Sequence, residues 1–349
     1  MSLGILLILV VVAILVAGGM RAAPDLSAAD IIKYADYVAQ EYAAICPIND
    51  SMYVVRDLND ANQARVPVIV KRTAVEVAAG SSRITGTSTL EKAVTLTQNP
   101  ALEVGDNITW EAQKKLPWKV MQPYAVRLAA DLMDAFVKRY VSYIAGNVPT
   151  ANVYTGTYAA TDPGLALSVR DGIINSATVL DNSNIPRAPG RRFGLLYPTL
   201  FNALWTLPEV VARYFGGSGN VARFGGDGNG LARIEYADFT IFSATASFAT
   251  NLTGLGGAST PSKFKNNLLD RDGGVGGNQS VYGVFWDSQS LAVGYATNGP
   301  SHIETMDPWY EKQIKSWVLN HAMIWDITSM QQDGSSKGLG FAVLQDDGV

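Results

Sequence analysis

The stretch PYAVRLAADLMDAFVKRYVSYIAG, residues 123–146, decides how the rest of this 349-residue chain is interpreted. Apolar side chains recur every three or four positions in it, a spacing that predicts an amphipathic helix with one buried face. Pro123 suits the first turn of a helix, and Gly146 suits its end. The polar face holds two oppositely charged pairs spaced i,i+4, Arg127 with Asp131 and Asp134 with Lys138. At 1.5 Å per residue the helix is about 35 Å long, which predicts a structural spine.

The residues before this helix predict a long β-hairpin. The segments VPVIVKRTAVEV (residues 66–77) and AVTLTQN (93–99) alternate in part between apolar and polar side chains, as strands do. The tip between them is small, polar and turn-rich, with too few large apolar side chains to bury itself. We therefore expect the hairpin to project from the body or to lie on a neighbouring chain. A helix over residues 27–45 is predicted before the hairpin, and a short strand over 107–112 after it.

The residues after the spine helix predict helices and strands that are segregated rather than regularly alternating, so the fold class is α+β. The first elements expected are a helix over 162–180, a buried strand ended by Pro198 and a helix over 199–215 interrupted at Pro208. A strand pair over 231–244 follows, and then a strand over 280–296 that ends in a short helix from about Asp287. The last elements expected are a segment over 309–333 that begins extended and is helical in its middle, and a closing strand over 338–345.

The chain opens with MSLGILLILVVVAILVAGGM, residues 1–20, in which no residue from Leu3 to Met20 is charged. A helix of about 20 residues spans the roughly 30 Å core of a bilayer, so this segment is long enough for an anchor. It lacks the basic n-region of a secretory signal. Three interpretations stay open: an anchor, a signal, or a start-site or fusion artefact with the functional chain beginning at Met20. The rest of the chain favours the third.

Composition and motifs favour a structural protein over an enzyme. Apolar residues make up 48% of the chain and charged residues 17%, with a formal net charge of −4 and no block of like charge. That distribution disfavours an electrostatic nucleic-acid clamp. Cys46 is the only cysteine, and the histidines His302 and His321 have no metal-ligand spacing. DRDGG, residues 270–274, lacks the closing glutamate of a calcium loop. The sequence predicts no catalytic, cofactor-binding or metal-binding residue.

Three stretches resemble the tailed-bacteriophage major capsid proteins, which have the Hong Kong 97-type fold. Residues 94–141 resemble the passage from hairpin strand into spine helix, in which an acidic residue such as Asp131 or Asp134 is typical. Residues 180–204, LDNSNIPRAPGRRFGLLYPTLFNAL, and residues 230–244, GLARIEYADFTIFSA, followed by VYGVFWDSQSLAVGYA, resemble the family's later helix–strand and strand–strand patterns. Ala237 stands where that family usually has glycine. The similarity covers roughly residues 27–345.

The resemblance implies a domain plan and a function. The plan begins with an apolar segment at 1–20, an N-terminal arm and helix at 21–53, and an extended hairpin loop at 54–98 that lies over a neighbouring subunit. A peripheral domain with the spine helix follows at 99–154, and an axial domain around the capsomer axis at 155–299. Residues 300–349 return to the peripheral domain. The implied function is a coat protein that self-assembles through hexamers and pentamers into an icosahedral phage shell, with no enzymatic activity and no cofactor. Implied partners are a separate scaffolding protein, a portal and packaged DNA bound without sequence specificity. Assembly in the host cytoplasm and a place in the virion capsid follow from the same resemblance.

Three alternatives stay open, and the main one comes from another class of protein. A membrane-anchored or secreted bacterial binding protein with an α+β ectodomain would use residues 1–20 and would be a monomer. An encapsulin-like compartment shell would use the same fold as the viral coat. A hydrolase that uses Cys46 as its nucleophile is a third and more distant hypothesis, because nothing in the sequence selects an orienting group for it.

Overall fold

The structure is a computed structural model. It describes residues 37–38, 40, 48, 51, 53–55, 63–70, 90–95, 102–109, 118–158, 162–188, 190–215, 233–244, 281–295, 303–305, 309–313, 316–332 and 337–346. The apolar opening, the hairpin tip and the two glycine-rich stretches at 216–232 and 245–280 lie outside these residues.

The spine helix α1 is longer than the sequence predicts. It runs over Trp118–Asn147, thirty residues, and so begins five residues before Pro123. Pro123 therefore lies in the second turn and not, as the sequence predicts, in the first, and it removes one backbone hydrogen bond from the helix. In the described residues after α1, three further α-helices follow, α2 at Leu165–Asn182, α3 at Pro198–Leu204 and α4 at Pro208–Phe215. Pro208 separates α3 from α4, as the sequence predicts.

The strands in the described part of the chain are β1 Tyr53–Val55, β2 Gln63–Val70, β3 Leu90–Thr95, β4 Leu102–Thr109, β5 Val153–Gly156, β6 Arg192–Leu196, β7 Arg233–Tyr236, β8 Phe239–Ser243, β9 Val281–Asp287, β10 Leu291–Tyr295, β11 Glu304–Thr305, β12 Trp309–Glu311, β13 Ser316–Met323, β14 Trp325–Ser329, β15 Gln331–Gln332 and β16 Phe341–Asp346.

A six-stranded mixed sheet, in the order β5-β16-β9-β6-β8-β7, is the centre of the fold. Along β9 the side chains alternate between its two faces, as the period of two requires. Val284 and Trp286 belong to a core with α1 on one face, and Phe285 belongs to a second core with α2, α3 and α4 on the other. The closing strand β16 runs antiparallel to β9 and parallel to β5, which ties the last described residues to the middle of this sheet.

Aromatic side chains join α1 to the strands beneath it. The Phe136 and Trp325 ring centroids are 4.6 Å apart, and Tyr140 meets Trp286 edge to face at 5.2 Å. The backbone N–H of Ser329 donates to the Tyr143 hydroxyl oxygen at 3.0 Å. Aromatic pairs in these geometries contribute roughly 0.5–1.5 kcal/mol beyond the area they bury. The spine helix is therefore fixed to β9 and β14 along several turns.

The remaining strands form smaller sheets. β2 and β3 pair antiparallel, so the two strands predicted for the hairpin do pair, although both begin about three residues earlier than the sequence suggests. β15 extends this pair by running parallel to β2. β10 lies between β1 and β14. β13 has β4 along one edge and both β11 and β12 along the other.

Two sequence predictions are wrong. The short helix expected from about Asp287 is a single 3-10 turn, Ser288–Ser290, and the chain then continues as β10. The helix expected within residues 309–333 is absent from the described part of that segment, which forms β12 to β15. In both places strands that are distant in sequence supply hydrogen bonds, β14 to β10 and β4 to β13, and this outweighs local propensity.

Within the described residues, no helix is long and apolar enough to cross a membrane.

Candidate functional site

A cluster of arginine and aspartate side chains lies where α2 ends and β6 begins. Arg192 is the first residue of β6, and none of its side chain is exposed. Its Nη2 donates to the Asp181 carboxylate at 2.7 Å and to the Ile185 carbonyl oxygen at 2.7 Å. Among the described residues, its Nε and Nη1 have no hydrogen-bond partner. A buried cation of this kind depends strongly on the one carboxylate that faces it.

Arg187 connects the same carboxylate to a second part of the fold. Its Nε donates to both Asp181 carboxylate oxygens, at 3.1 and 2.9 Å, and its Nη1 donates to Asp238 at 2.9 Å. These hydrogen bonds, with that from Arg192, hold the pKa of Asp181 below its usual range. Asp181 raises the pKa of the Arg187 guanidinium in turn. The end of α2 is thereby joined to the turn between β7 and β8.

That turn has an unusual backbone. Ala237 has a φ of 48° and Asp238 a φ of 67°, and two consecutive positive values are the signature of the hairpin turn of type I′. The left-handed region is costly for residues with a Cβ, and glycine adopts it without that cost. The Asp238 side chain forms an ion pair with Arg187, and both side chains are about half exposed.

A second ion pair lies at the junction of two sheets. Asp287 ends β9 and is fully buried, and Arg191 donates to its two oxygens at 3.1 and 2.9 Å. The Ser290 hydroxyl donates to the same carboxylate at 3.2 Å. Gly340 packs so closely here that an added Cβ would lie 2.3 Å from the Cβ of Ser290. The pair therefore fixes the direction in which the chain leaves the six-stranded sheet.

A cavity of about 330 Å³ opens beside the first ion-pair cluster. The loop residues Arg187, Ala188 and Gly190 line one side, and Glu235, Tyr236 and Asp238 line the other, with Phe239 and Thr240. The Tyr236 hydroxyl donates to Glu209 at 3.1 Å, and burial raises the pKa of this tyrosine. The first cluster pairs Arg187 and Arg192 with Asp181 and Asp238, so the charges of these four side chains balance. The arrangement holds loops in place and presents no nucleophile–base pair.

Of the cysteine, the histidines and the segment 270–274 considered from the sequence, the structure describes His321 alone. Cys46, His302 and the segment 270–274 lie outside the described residues. His321 is buried in β13, opposite Val104 of β4. The described ranges contain no group of three or more histidine, cysteine, aspartate or glutamate side chains that could hold a metal ion.

The predicted ion pairs on the spine helix do form. Arg127 lies 3.2 Å from Asp131, and Lys138 lies 2.8 Å from Asp134. Trp325 is buried in the core. The ion-pair cluster is not among the sequence predictions, although the sequence carries a signal for it. The segment PRAPGRRF places three arginines immediately before and within a buried strand. Buried arginines need acidic partners, and Asp181 at the end of the preceding helix was available.

No family model matches the chain, and no curated protein sequence matches it. Solved structures do match. The capsid structure of the cyanophage P-SCSP1u covers 87% of this chain and 89% of its own, at 13% sequence identity and a TM-score of 0.51. The mature capsid of bacteriophage PhiM1 covers 86% of each chain, at 13% identity and a TM-score of 0.53. Because so few residues are identical, the similarity is one of backbone fold. The chain has the α+β fold of the tailed-phage capsid proteins, the Hong Kong 97-type fold that its sequence predicts.

Proposed function

We propose that this chain is a major capsid protein that self-assembles into an icosahedral phage shell enclosing DNA. The observation that carries the proposal is the extent of the structural likeness, which covers 87% of this chain and 89% of the cyanophage capsid chain. A likeness of that extent leaves little of either chain outside the shared fold. Fold alone does not fix function, so the proposal needs the assembly experiment given below.

The architecture supports a protein whose work is contact between subunits. In the proposed plan, the β2–β3 hairpin belongs to an extended loop over residues 54–98 that lies on a neighbouring subunit. Residues 99–154 and 300–349 form a peripheral domain built on α1, and residues 155–299 form an axial domain near the capsomer axis. The ion pairs of Asp181 and Asp287 then serve to keep the domain shape constant from copy to copy. Copies of one shape can close a shell through heterologous contacts.

The proposed partners follow from this role. Other copies of the chain, arranged as hexamers and pentamers, are the main ones, and a separate scaffolding protein and a portal complete the assembly. The formal charge of −4 suits an inner wall that faces packaged DNA without binding it tightly or reading its sequence. The proposed role is structural and not enzymatic, and its place is the virion capsid after assembly in the host cytoplasm.

The test is the mass and the cell fraction of the protein when it is expressed alone. The full chain and a chain that begins at Met20 are produced in bacteria, and both are followed by fractionation and by size exclusion with light scattering. The proposal expects the chain from Met20 to form particles of many subunits in the soluble fraction. A full chain found in the membrane fraction as a monomer, with a monomeric chain from Met20, would favour the anchored binding protein instead.

A further inference from the structure

The cavity beside the first ion-pair cluster lies between two walls that are held in different ways. The first wall is the loop between α2 and β6, which carries Arg187. At the start of this loop the backbone N–H of Asn184 donates to the Asp181 carbonyl oxygen at 2.9 Å. The next backbone N–H, that of Ile185, donates to the Leu180 carbonyl oxygen at 3.0 Å. These two hydrogen bonds form a Schellman motif, so the first wall is anchored to the carboxyl end of α2.

The second wall is the turn between β7 and β8. Tyr236 and Asp238 line the cavity from this side. In the described residues, β7 is the last strand of the six-stranded sheet and pairs with β8 alone. Ala237 and Asp238 both have positive φ, which costs free energy at residues that carry a Cβ. The second wall therefore lies at an edge of the sheet and holds backbone strain.

Arg187 joins the two walls unequally. Its Nε donates to both carboxylate oxygens of Asp181, and its Nη2 donates to the same carboxylate. Its Nη1 reaches Asp238 through a hydrogen bond of 2.9 Å. The Arg187 and Asp238 side chains are 56% and 50% exposed, and an exposed ion pair contributes little to stability. When these contacts weaken, Arg187 therefore stays with Asp181 and releases Asp238 first.

We propose that the ion pair between Arg187 and Asp238 is a latch, which holds the β7–β8 turn against the loop between α2 and β6. Its release lets the turn relax from positive φ and opens the cavity of about 330 Å³ to solvent. Opening exposes Phe239, which lines the cavity and is 1% exposed when the latch is closed. The ion pair favours the closed turn and the strain at Ala237 favours the open one. Strain of this kind is typical of segments that switch between two arrangements.

The movement is confined to β7 and its turn. β8 pairs with β6 over five residues, and Arg192 keeps its buried contact with Asp181 whether the latch is closed or open. The core of the domain is therefore the same in both states. The purpose of the latch rests on the proposed function, in which residues 155–299 contact neighbouring copies around the capsomer axis. There the latch lets the surface of one copy adapt to its neighbour without any change in the core.

Hydrogen–deuterium exchange of the purified full chain, followed by mass spectrometry of peptides from residues 233–243, tests the latch. Exchange in these peptides should be roughly two- to five-fold faster in about 1 M salt than in low salt, because salt screens an exposed ion pair. Asp238→Asn removes the charge, and asparagine also tolerates the left-handed region. This variant should exchange faster in low salt, by the same factor, and should show no further effect of salt. Ala237→Gly removes the strain and should exchange about five-fold more slowly than the unmodified chain.

Asp171→Asn is the matched control. It breaks an ion pair with Arg170 whose side chains are 35% and 50% exposed, but both residues belong to α2, so the pair spans no cavity. Exchange in residues 233–243 should be unchanged in this variant. Peptides from α2 serve as the reference for each sample, because they report any loosening of the whole domain.

Each outcome decides the proposal. The same exchange in Asp238→Asn and in the unmodified chain, at both salt concentrations, would overturn the latch. Faster exchange that extends equally to the α2 peptides would overturn its confinement to β7 and the turn. Faster exchange in Ala237→Gly would overturn the role of strain. The measurement needs no assembled particle, so a failed latch leaves the proposed function standing, and a failure to form particles removes the purpose of the latch but not the latch itself.

Discussion

Arg192 and Asp181 form an ion pair of 2.7 Å in which the arginine side chain is fully buried and the aspartate side chain is 31% exposed. The two residues differ in their access to water. Asp181 can be hydrated when Arg192 is removed, whereas Arg192 stays buried when Asp181 is removed. Loss of the carboxylate leaves a cation in the interior whose Nε and Nη1 have no partner among the described residues. The energetic importance of the pair therefore lies in the penalty of breaking it.

We predict that Asp181→Asn lowers the free energy of unfolding by about 2–3 kcal/mol at pH 7, toward the low end for a broken buried pair because Asp181 is partly exposed. Arg187 and Arg192 lower the pKa of Asp181 in the folded protein. Its stabilisation is therefore fully present above the unfolded pKa of about 3.9 and is lost as the pH falls through the lower folded value. Urea unfolding across this range should show the difference between the two proteins shrinking in acid.

Asp131→Asn is the matched control for that experiment, because it breaks an ion pair between side chains that are 79% and 49% exposed. We expect it to cost no more than about 0.5 kcal/mol. If Asp131→Asn lowers the free energy of unfolding as much as Asp181→Asn does, the account of the buried cluster is contradicted.

Gly340 and Gly146 should respond in opposite ways to the same substitution. Gly340→Ala places a Cβ 2.3 Å from the Cβ of Ser290, so we expect a loss of about 3 kcal/mol from overpacking. Gly146→Ala in α1 meets nothing within 4 Å and should gain about 0.5–1 kcal/mol from helix propensity. Thermal unfolding of both variants measures the contrast. A tolerated Gly340→Ala would show that the turn after Asp287 is not packed as described.

Ala237→Gly should stabilise the protein, although glycine usually destabilises it. The φ of 48° at Ala237 lies in the left-handed region, and a Cβ there costs roughly 1–2 kcal/mol that glycine does not incur. We expect a gain of about 1 kcal/mol in the free energy of unfolding by denaturant. The helical substitution Ala203→Gly is the control and should cost about 1 kcal/mol. A loss in both variants would contradict the type I′ turn.

Lys337 should contribute to the stability of the spine helix. Its Nζ donates to the Gly146 carbonyl oxygen at 2.7 Å, at the carboxyl end of α1, where a positive charge also interacts favourably with the helix dipole. We expect Lys337→Met to lower the free energy of unfolding by about 1 kcal/mol, with a smaller effect in high salt. Lys312→Met, at an exposed turn, should stay within about 0.5 kcal/mol. Equal free energies of unfolding for the Lys337→Met and Lys312→Met variants would show that the contact between Lys337 and the end of α1 does not stabilise the helix.

The sequence predicts the elements whose hydrogen bonds are local or whose ends carry a clear signal. The stripe from Val126 to Ile144 indicates α1, and Pro208 marks the break between α3 and α4. It does not predict β10, because that strand exists through β14, which lies more than thirty residues away. The sequence places the start of α1 too late, because proline is favoured in the first turn of a helix, whereas Pro123 stands in the second turn of α1.

The ion-pair cluster illustrates the same limit for a site. Three arginines in PRAPGRRF are visible in the sequence, but nothing local says that Arg192 pairs with Asp181 and Arg191 with Asp287. The second pairing joins residues 96 positions apart, and only the sheet order β9-β6 brings them together. Ala237 stands where the resemblance predicts glycine, and its positive φ makes that departure costly.

The central claim is that many copies of this chain close into a shell, and electron microscopy of the purified particles with three-dimensional reconstruction tests it most directly. We expect closed icosahedral shells in which this fold repeats around five-fold and six-fold positions. A protein that stays monomeric at high concentration in crowding agents, with and without the first nineteen residues, would contradict the claim.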